Sequence, residues 1–327
     1  MGTPEFAVPA LRALAASDAA DLRLVVTQPD RPAGRGRALA PPPVKVAATD
    51  LGLPVLQTPT LRDPDVRARI VGTEPALIVV AAFGMILGKW ILDLPPRGCV
   101  NLHASILPAY RGANPISSAI LQGDAETGVT LMHMDRGLDT GDILDIARTP
   151  ILPADTTDVL TARLADLAAS LLTDTLDALL AGTLAATPQP DGATLTRQLV
   201  KADGWIDWSH PAESIERRVR AMWPWPRTWT TLPDGTTLQV HRASLAEAPE
   251  HVASPGTLLP EGLVSCGDGS ALRLERIQLA GGKPVDGAAI ANVAKLAPGT
   301  ILGTVGAPSP IPPPLVVPVP SEPTGQS

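Results

Sequence analysis

From Asn101 to Asp142 the chain reads NLHASILPAYRGANPISSAILQGDAETGVTLMHMDRGLDTGD, and this stretch, with the segments leading into it, constrains the fold more than any other. The apolar run Leu77 to Ala82, followed by Cys99-Val100-Asn101-Leu102-His103, predicts two strands of a buried sheet. Alternate residues of a strand share a face, so Asn101 and His103 leave the end of the second strand on the same side. Open α/β folds place their chemistry at that edge. Thirty-four residues beyond His103, Gly137-Leu138-Asp139-Thr140-Gly141-Asp142 predicts a glycine-bracketed loop between two strand-like runs, Val129 to Met134 and Ile143 to Ile146. A carboxylate on such a loop reaches the imidazole without straining the backbone.

An amide, an imidazole and a carboxylate are the parts for attack by a neutral nucleophile on a carbonyl carbon. The amide and an imidazolium donate hydrogen bonds to the developing oxyanion; the carboxylate orients the imidazole and favours its protonated form. No activated Ser or Cys nucleophile is evident, so direct transfer is favoured over a covalent intermediate. Taken singly, a strand-end His is a satisfied polar residue and an Asp between glycines is a turn former. Composition and spacing alone therefore give carbonyl chemistry at a sheet edge.

The combined pattern resembles the folate-dependent formyltransferases. The match lies in Asn101-x-His103-x-Ser105-Ile106-Leu107-Pro108, then Arg111-Gly112, then the Gly137 to Asp142 loop; Ile106 stands where the family usually has Leu. The resemblance implies that Asn101, His103 and Asp139 are catalytic and that the one-carbon donor is 10-formyltetrahydrofolate, with no metal. It also implies that the glycine-punctuated loop Phe83-Gly84-Met85-Ile86-Leu87-Gly88 lines the folate pocket, through Phe83, Gly84, Ile86 and Leu87, together with Ser105, Leu107, Pro108 and Asp139. Without the resemblance that loop reads equally as a plain strand-to-helix connection, and Gly88 replaces a proline common in the family.

A second motif narrows the group. After a strand-like Leu22 to Thr27, the segment Gln28 to Lys45 carries four cations (Arg31, Arg35, Arg37, Lys45) against one acid, Asp30, inside a chain whose formal net charge is −7. Such a loop suits phosphate contacts or is simply a solvated Gly/Arg loop. QPDRPAGRGR resembles the tRNA-contacting loop of the methionyl-tRNA formyltransferase family, so the resemblance implies tRNA contacts from Arg31, Arg35, Arg37 and Lys45. Arg111 either orients the aminoacyl end or pairs on the surface. The implied reaction is formylation of the free α-amino group of initiator methionyl-tRNA. A formyltransferase acting on a nucleotide sugar or purine precursor, a formyl-folate hydrolase and a non-catalytic RNA-binding protein are the alternatives.

A chain of 327 residues suggests two domains. The expected architecture is α/β: a Rossmann-like formyltransferase domain with a mainly parallel sheet over residues 1–182, a linker over 183–204, a small OB-like β-barrel that binds tRNA over 205–302, and a disordered Pro-rich tail over 303–327. Met1-Gly2-Thr3-Pro4 resembles the turn after the first strand of such a fold, which implies that this strand lies upstream of Met1. Helices are predicted over Pro43 to Asp50, Pro64 to Val71, from Pro115, over Asp155 to Leu180 and from Pro211 to Met222.

Five of the six tryptophans fall in Trp205 to Trp229 and suit a domain core or seam, or base stacking. IDWS and WPWPRTW again resemble the start of the family's second domain. Barrel cations Arg242, Arg273, Arg276 and Lys283 either touch phosphate or are ordinary surface cations. Cys99 and Cys266 are too far apart in sequence to suggest a disulfide framework. With no run near the roughly 18 apolar residues of a membrane span and no leader pattern, a cytoplasmic monomer with no membrane contact is expected.

Overall fold

The computed structural model describes residues 1–33, 38–247, 253–308 and 312–319. In chain order the first part forms α1 (Val8–Ala16), β1 (Val25–Thr27), the antiparallel pair β2 (Arg31–Ala33) and β3 (Ala38–Ala40), α2 (Pro43–Asp50), β4 (Val55–Gln57), α3 (Pro64–Val71), β5 (Ile78–Val80), α4 (Lys89–Leu92), β6 (Cys99–His103), β7 (Arg111–Gly112), α5 (Pro115–Gln122), β8 (Glu126–His133), β9 (Ile143–Pro150) and α6 (Thr157–Ala181). Proline opens α2, α3 and α5, where the first turn has no partner for the missing N–H. Asp63 caps α3 by accepting from the Asp65 amide at 2.9 Å. Glycines in the left-handed region, Gly123 and Gly182, end α5 and α6.

β1 pairs with β4, and β5 with β6, in parallel. β8 runs antiparallel to β6, and β9 antiparallel to β8. The parallel ladders of the expected sheet are thus present, and the antiparallel β8 and β9 extend it at one edge. A single short loop joins β8 to β9, and only antiparallel neighbours can be joined that way. All five residues of β6 are buried, as befits a central strand covered on both faces. Leu160, Leu164, Ala168, Leu171, Leu172 and Leu179 form the buried stripe by which α6 packs on α1 and the sheet.

β1 and β5 share no ladder with each other. Met1 and Gly2 lie between their ends: the Gly2 amide donates to Val26 O at 3.1 Å, the Ala81 amide to Met1 O at 3.0 Å, and the Met1 ammonium to Val79 O at 2.6 Å. Burial lowers the pKa of that ammonium to about 6. Alongside it a cavity of about 410 Å³ is lined by Leu11, Leu14, Val25, Ile78, Val79 and Leu176, among others.

The second part contains β10 (Thr194–Thr196), α7 (Ala212–Ala221), β11 (Thr228–Thr231), β12 (Thr237–Ala246), β13 (Leu263–Ser265), β14 (Ala271–Leu279) and β15 (Val285–Asp286). β11, β12, β14 and β13 form one antiparallel sheet, with β15 also on β14. Register shifts between Val240 and Ala243 mark an irregularity in the long β12, where bulges increase twist. The sheet wraps a core of Ile206, Trp208, Leu238, Val240, Val264, Leu272 and Ile277. Among the described residues its edges β11 and β13 do not pair with each other.

Two segments without strong sequence patterns join β7 in a small three-stranded sheet. β10, from the expected linker, runs parallel to β7 and antiparallel to β16 (Val316–Pro318), which comes from the expected disordered tail. Leu315 is only 7% exposed and belongs to the first core. Arg197 anchors the strap: its Nε and Nη2 donate to Pro313 O at 3.1 and 2.6 Å while the guanidinium also grips Asp203. Proline composition implied an unstructured segment, yet an edge strand tolerates proline because one row of its amides goes unused. Leu315→Ala should destabilise the fold by about 2 to 3 kcal/mol, the lower part of the range for a buried leucine, read from the midpoint of chemical denaturation.

Candidate active site

β6 delivers Asn101 and His103 to one face, at 9% and 6% exposure. His103 Nε2 lies 3.0 Å from the carbonyl oxygen of Tyr110. Since a carbonyl only accepts, Nε2 carries the hydrogen and the ring is fixed with Nδ1 on the opposite side. Nδ1 lies 3.6 Å from Asp139 Oδ2, within ion-pairing reach but beyond a hydrogen bond. Tyr110 presents its carbonyl this way because its backbone is left-handed, with φ 62°. Its hydroxyl donates to Asp124 Oδ2 at 2.6 Å and its amide to Thr194 Oγ1 at 2.8 Å. Burial raises the pKa values of both the phenol and the Asp124 carboxyl, and Asp124 raises the phenol further.

Asp139 stands at the crown of the β8–β9 loop, also left-handed at φ 53°. One carboxylate oxygen accepts from the Gly112 amide at 2.9 Å; the other lies 3.4 Å from Asn101 Nδ2. Gly112 is required for this approach. Its φ is 106°, and a Cβ there would meet Thr196 O at 2.4 Å. The loop is tied within itself by Asp135 Oδ1, which accepts from the Gly137 amide at 2.9 Å and the Thr140 hydroxyl at 2.6 Å.

A cleft of about 650 Å³ opens over these three side chains. Ile86 is 90% and Leu138 55% exposed, both lining the cleft. Apolar walls with a few convergent polar groups, in a volume within roughly 300–1,000 Å³, fit a flat heteroaromatic ligand of folate size. Phe83, Gly84 and Leu87 also line it. The Phe83 carbonyl is held by Thr3 Oγ1 at 3.0 Å and Gln28 Nε2 at 2.9 Å, and Gly84 takes φ 74° to follow it.

Ser105, Leu107 and Pro108, which the family pattern assigned to the donor, lie outside the lining of that cleft. Ser105 is fully buried and its hydroxyl donates to Ala109 O at 2.6 Å, while the Leu107 amide donates to Thr130 Oγ1 at 3.1 Å. These residues build the bend that carries Tyr110 to His103.

The cations divide in the same way. Arg31 is exposed on β2. Arg35 and Arg37 lie outside the described residues. Lys45 is paired with Asp30 at 2.8 Å, an acid that Gln57 also holds and whose pKa these bonds lower. Arg111 donates from Nε and Nη2 to Gln189 Oε1 at 3.1 and 2.7 Å. Arg242, Arg273 and Arg276 pair with Glu275, Glu261 and Asp286. Trp208 is buried in the second core and Trp205 packs edge-on to Trp229 at 4.8 Å, whereas Trp225 is exposed.

Gln189, Tyr110, Gly112 and Thr194 escaped sequence reasoning as parts of the site. Their contributions are a side-chain amide, a carbonyl, an amide and a hydroxyl acting across folds of the chain, and only the Arg111-Gly112 pair carried a motif.

A strand-borne amide and imidazole facing a loop carboxylate, beside a cleft at a sheet edge, are a set of groups suited to stabilising an oxyanion at a carbonyl carbon. Residues 1–176 match the formyl transferase family and residues 198–295 its C-terminal domain, so the chain belongs to the formyl transferases. The methionyl-tRNA formyltransferase of Pseudomonas syringae pv. syringae (strain B728a) is 47% identical over 309 residues, covering 92% of this chain and 96% of that protein. Those of Sorangium cellulosum (strain So ce56) and Geobacter metallireducens (strain ATCC 53774 / DSM 7210 / GS-15) are 46% and 45% identical over 308 residues each, covering 92% and 93% of this chain and 98% and 97% of theirs. Within the family, the chain belongs with the methionyl-tRNA formyltransferases.

Among solved structures, an N-formyltransferase from Helicobacter canadensis in complex with folinic acid and dTDP-3-aminofucose superposes with a TM-score of 0.60 at 19% identity, over 83% of this chain and 96% of that one. At that identity the likeness bears on the fold. No helix among the described residues is long and apolar enough to cross a membrane.

Proposed function

We propose that the chain transfers the formyl group of 10-formyltetrahydrofolate to the free α-amino group of methionyl-tRNA, giving N-formylmethionyl-tRNA and tetrahydrofolate. The observation that carries the mechanism is the convergence of Asn101, His103 and Asp139 on one cleft, with Asp139 3.4 Å from the amide and 3.6 Å from the imidazole. The donor is a substrate that supplies an activated formyl carbon. Phe83, Gly84, Ile86 and Leu87 hold it against the cleft wall.

Attack forms a nitrogen–carbon bond to the α-amino group, and collapse breaks the bond from that carbon to the folate nitrogen. One proton leaves the attacking nitrogen and one arrives at the departing nitrogen. Asn101 has one N–H turned to Asp139 and a second free to donate to the oxyanion. His103 has its Nε2–H committed to Tyr110, so Nδ1 is the position at which it gains and gives a proton. Asp139, acceptor-only when ionised, stabilises the ring while that proton is held and releases it as charge moves.

Arg31, Arg35 and Arg37 grip the phosphates of the tRNA while Arg111 and Lys45 lie nearer their own partners. The enzyme works as a monomer on the initiator tRNA, in the cytoplasm. Arg31→Ala and Arg35→Ala should each weaken methionyl-tRNA binding and flatten its logarithmic salt dependence by about 0.7 to 0.9 for each phosphate released, with folate binding unchanged. An unchanged salt slope in both variants would remove the loop from the tRNA interface.

A further inference from the structure

We propose that Gln189 is a positioning residue of the active site, holding the Asp139 loop in its working conformation, and that Arg111 acts through Gln189. The proposal rests on the catalytic reading of Asp139. Gln189 Nε2 donates to two carbonyl oxygens of that loop, Asp139 O and Gly141 O, each at 2.8 Å. Both hydrogens of its amide are thereby spent on the segment that carries the carboxylate. Its Oε1 accepts the two bonds from Arg111.

This arrangement has one solution. Arg111 offers only hydrogens and the two carbonyls offer only lone pairs, so the amide cannot be turned over without opposing donor to donor and acceptor to acceptor. Arg111 therefore sets the orientation of the group that grips the loop. The grip falls on a residue that needs it: Asp139 is a non-glycine at φ 53°, a conformation that persists where the surroundings over-determine it. Gly112 holds the Asp139 side chain and Gln189 holds its main chain.

The segment bearing Gln189 is itself registered against β9. Thr187 and Ile143 exchange both backbone hydrogen bonds at 2.8 Å, which brings Gln189 beside the loop two residues later. Further along, β10 pairs with β7, the strand of Arg111 and Gly112. The segment after α6 thus carries one support of Asp139, Gln189, and pairs with the strand that carries the other, Gly112.

The test is Gln189→Glu, which keeps the shape and the bond to Arg111 but sets an oxygen without hydrogen against two carbonyl oxygens. Gln189→Leu, of similar size, removes the clamp without adding charge and answers the same question should the first variant fail to fold. Purified full-length variants are compared for kcat, for KM of both substrates and for equilibrium binding of methionyl-tRNA. A fall in kcat of roughly 10- to 100-fold is expected, the scale of a displacement near an ångström, with both KM values and tRNA affinity within about twofold of the parent. In the Gln189→Leu background, Arg111→Met should lower kcat no further.

A kcat within about twofold of the parent, or a loss taken wholly in tRNA affinity, overturns the role of Gln189. A second loss from Arg111→Met that multiplies the first overturns the claim that Arg111 works through it. Asp139→Asn is the control: if it stays fully active, the catalytic reading falls and takes the proposal with it. If it is inactive beside a fully active Gln189→Glu, the proposal alone falls.

Discussion

Asn101→Ala should slow formyl transfer by about 10²- to 10³-fold while leaving methionyl-tRNA affinity within a factor of about two. The amide sits in the middle of a fully buried strand, locked by ladders to β5 on one side and β8 on the other. Little reorganisation is needed for it to meet charge that develops only in the transition state, and that difference raises kcat rather than ground-state binding. Its contact with Asp139 is long, 3.4 Å, so its removal costs the carboxylate little. Single-turnover kinetics with a separate tRNA-binding titration read the two quantities. Equal losses in turnover and affinity would contradict an oxyanion role.

Asp139→Asn should lower kcat by a comparable factor, on the order of 10²- to 10³-fold, for a different reason. The carboxylate meets two donors, the Gly112 amide and the Asn101 side chain. A neutral amide can accept from only one of them, and its NH₂ then faces the other, leaving a half-buried donor opposed. The negative charge opposite His103 Nδ1 disappears as well. On the proposed role, in which Asp139 acts through His103, its replacement in a His103→Gln background should cost far less than in the parent, and that comparison is the measurement to make. Fully multiplicative losses would mean that the two residues work independently.

Much of this site was legible in the sequence because it obeys short-range rules. The strand Cys99–His103 and the helices Pro43–Asp50 and Pro64–Val71 appear with the bounds that apolar runs and prolines implied. Alternation put Asn101 and His103 on one face, and the glycine-bracketed loop does bring Asp139 to them. What stayed hidden depends on contacts between distant segments. No periodicity announces that Gln189, 50 residues after Asp139, will hold its carbonyl, or that the Tyr110 carbonyl will fix the tautomer of His103. The antiparallel direction of β8 and β9 at one edge of the sheet was equally silent, since an apolar run does not state which way its neighbour runs.

Charge misled in a specific way. Counting charge between Gln28 and Lys45 set Asp30 against the four cations together, whereas Asp30 pairs with Lys45 in particular; outside that segment, Arg111 is occupied by Gln189. The Pro-rich composition after Gly303 likewise concealed Leu315 and Val316–Pro318, which need only one buried leucine and one strand edge to become part of the fold.

Single-turnover transfer of a labelled formyl group from 10-formyltetrahydrofolate to charged initiator tRNA tests the proposed reaction most directly. Label should appear on the α-amino nitrogen of the methionyl group, at a rate that Asn101→Ala and Asp139→Asn each reduce. A folded protein that binds folate and tRNA but leaves the methionyl amine unlabelled, or labels a nucleotide-linked amino sugar instead, would contradict it.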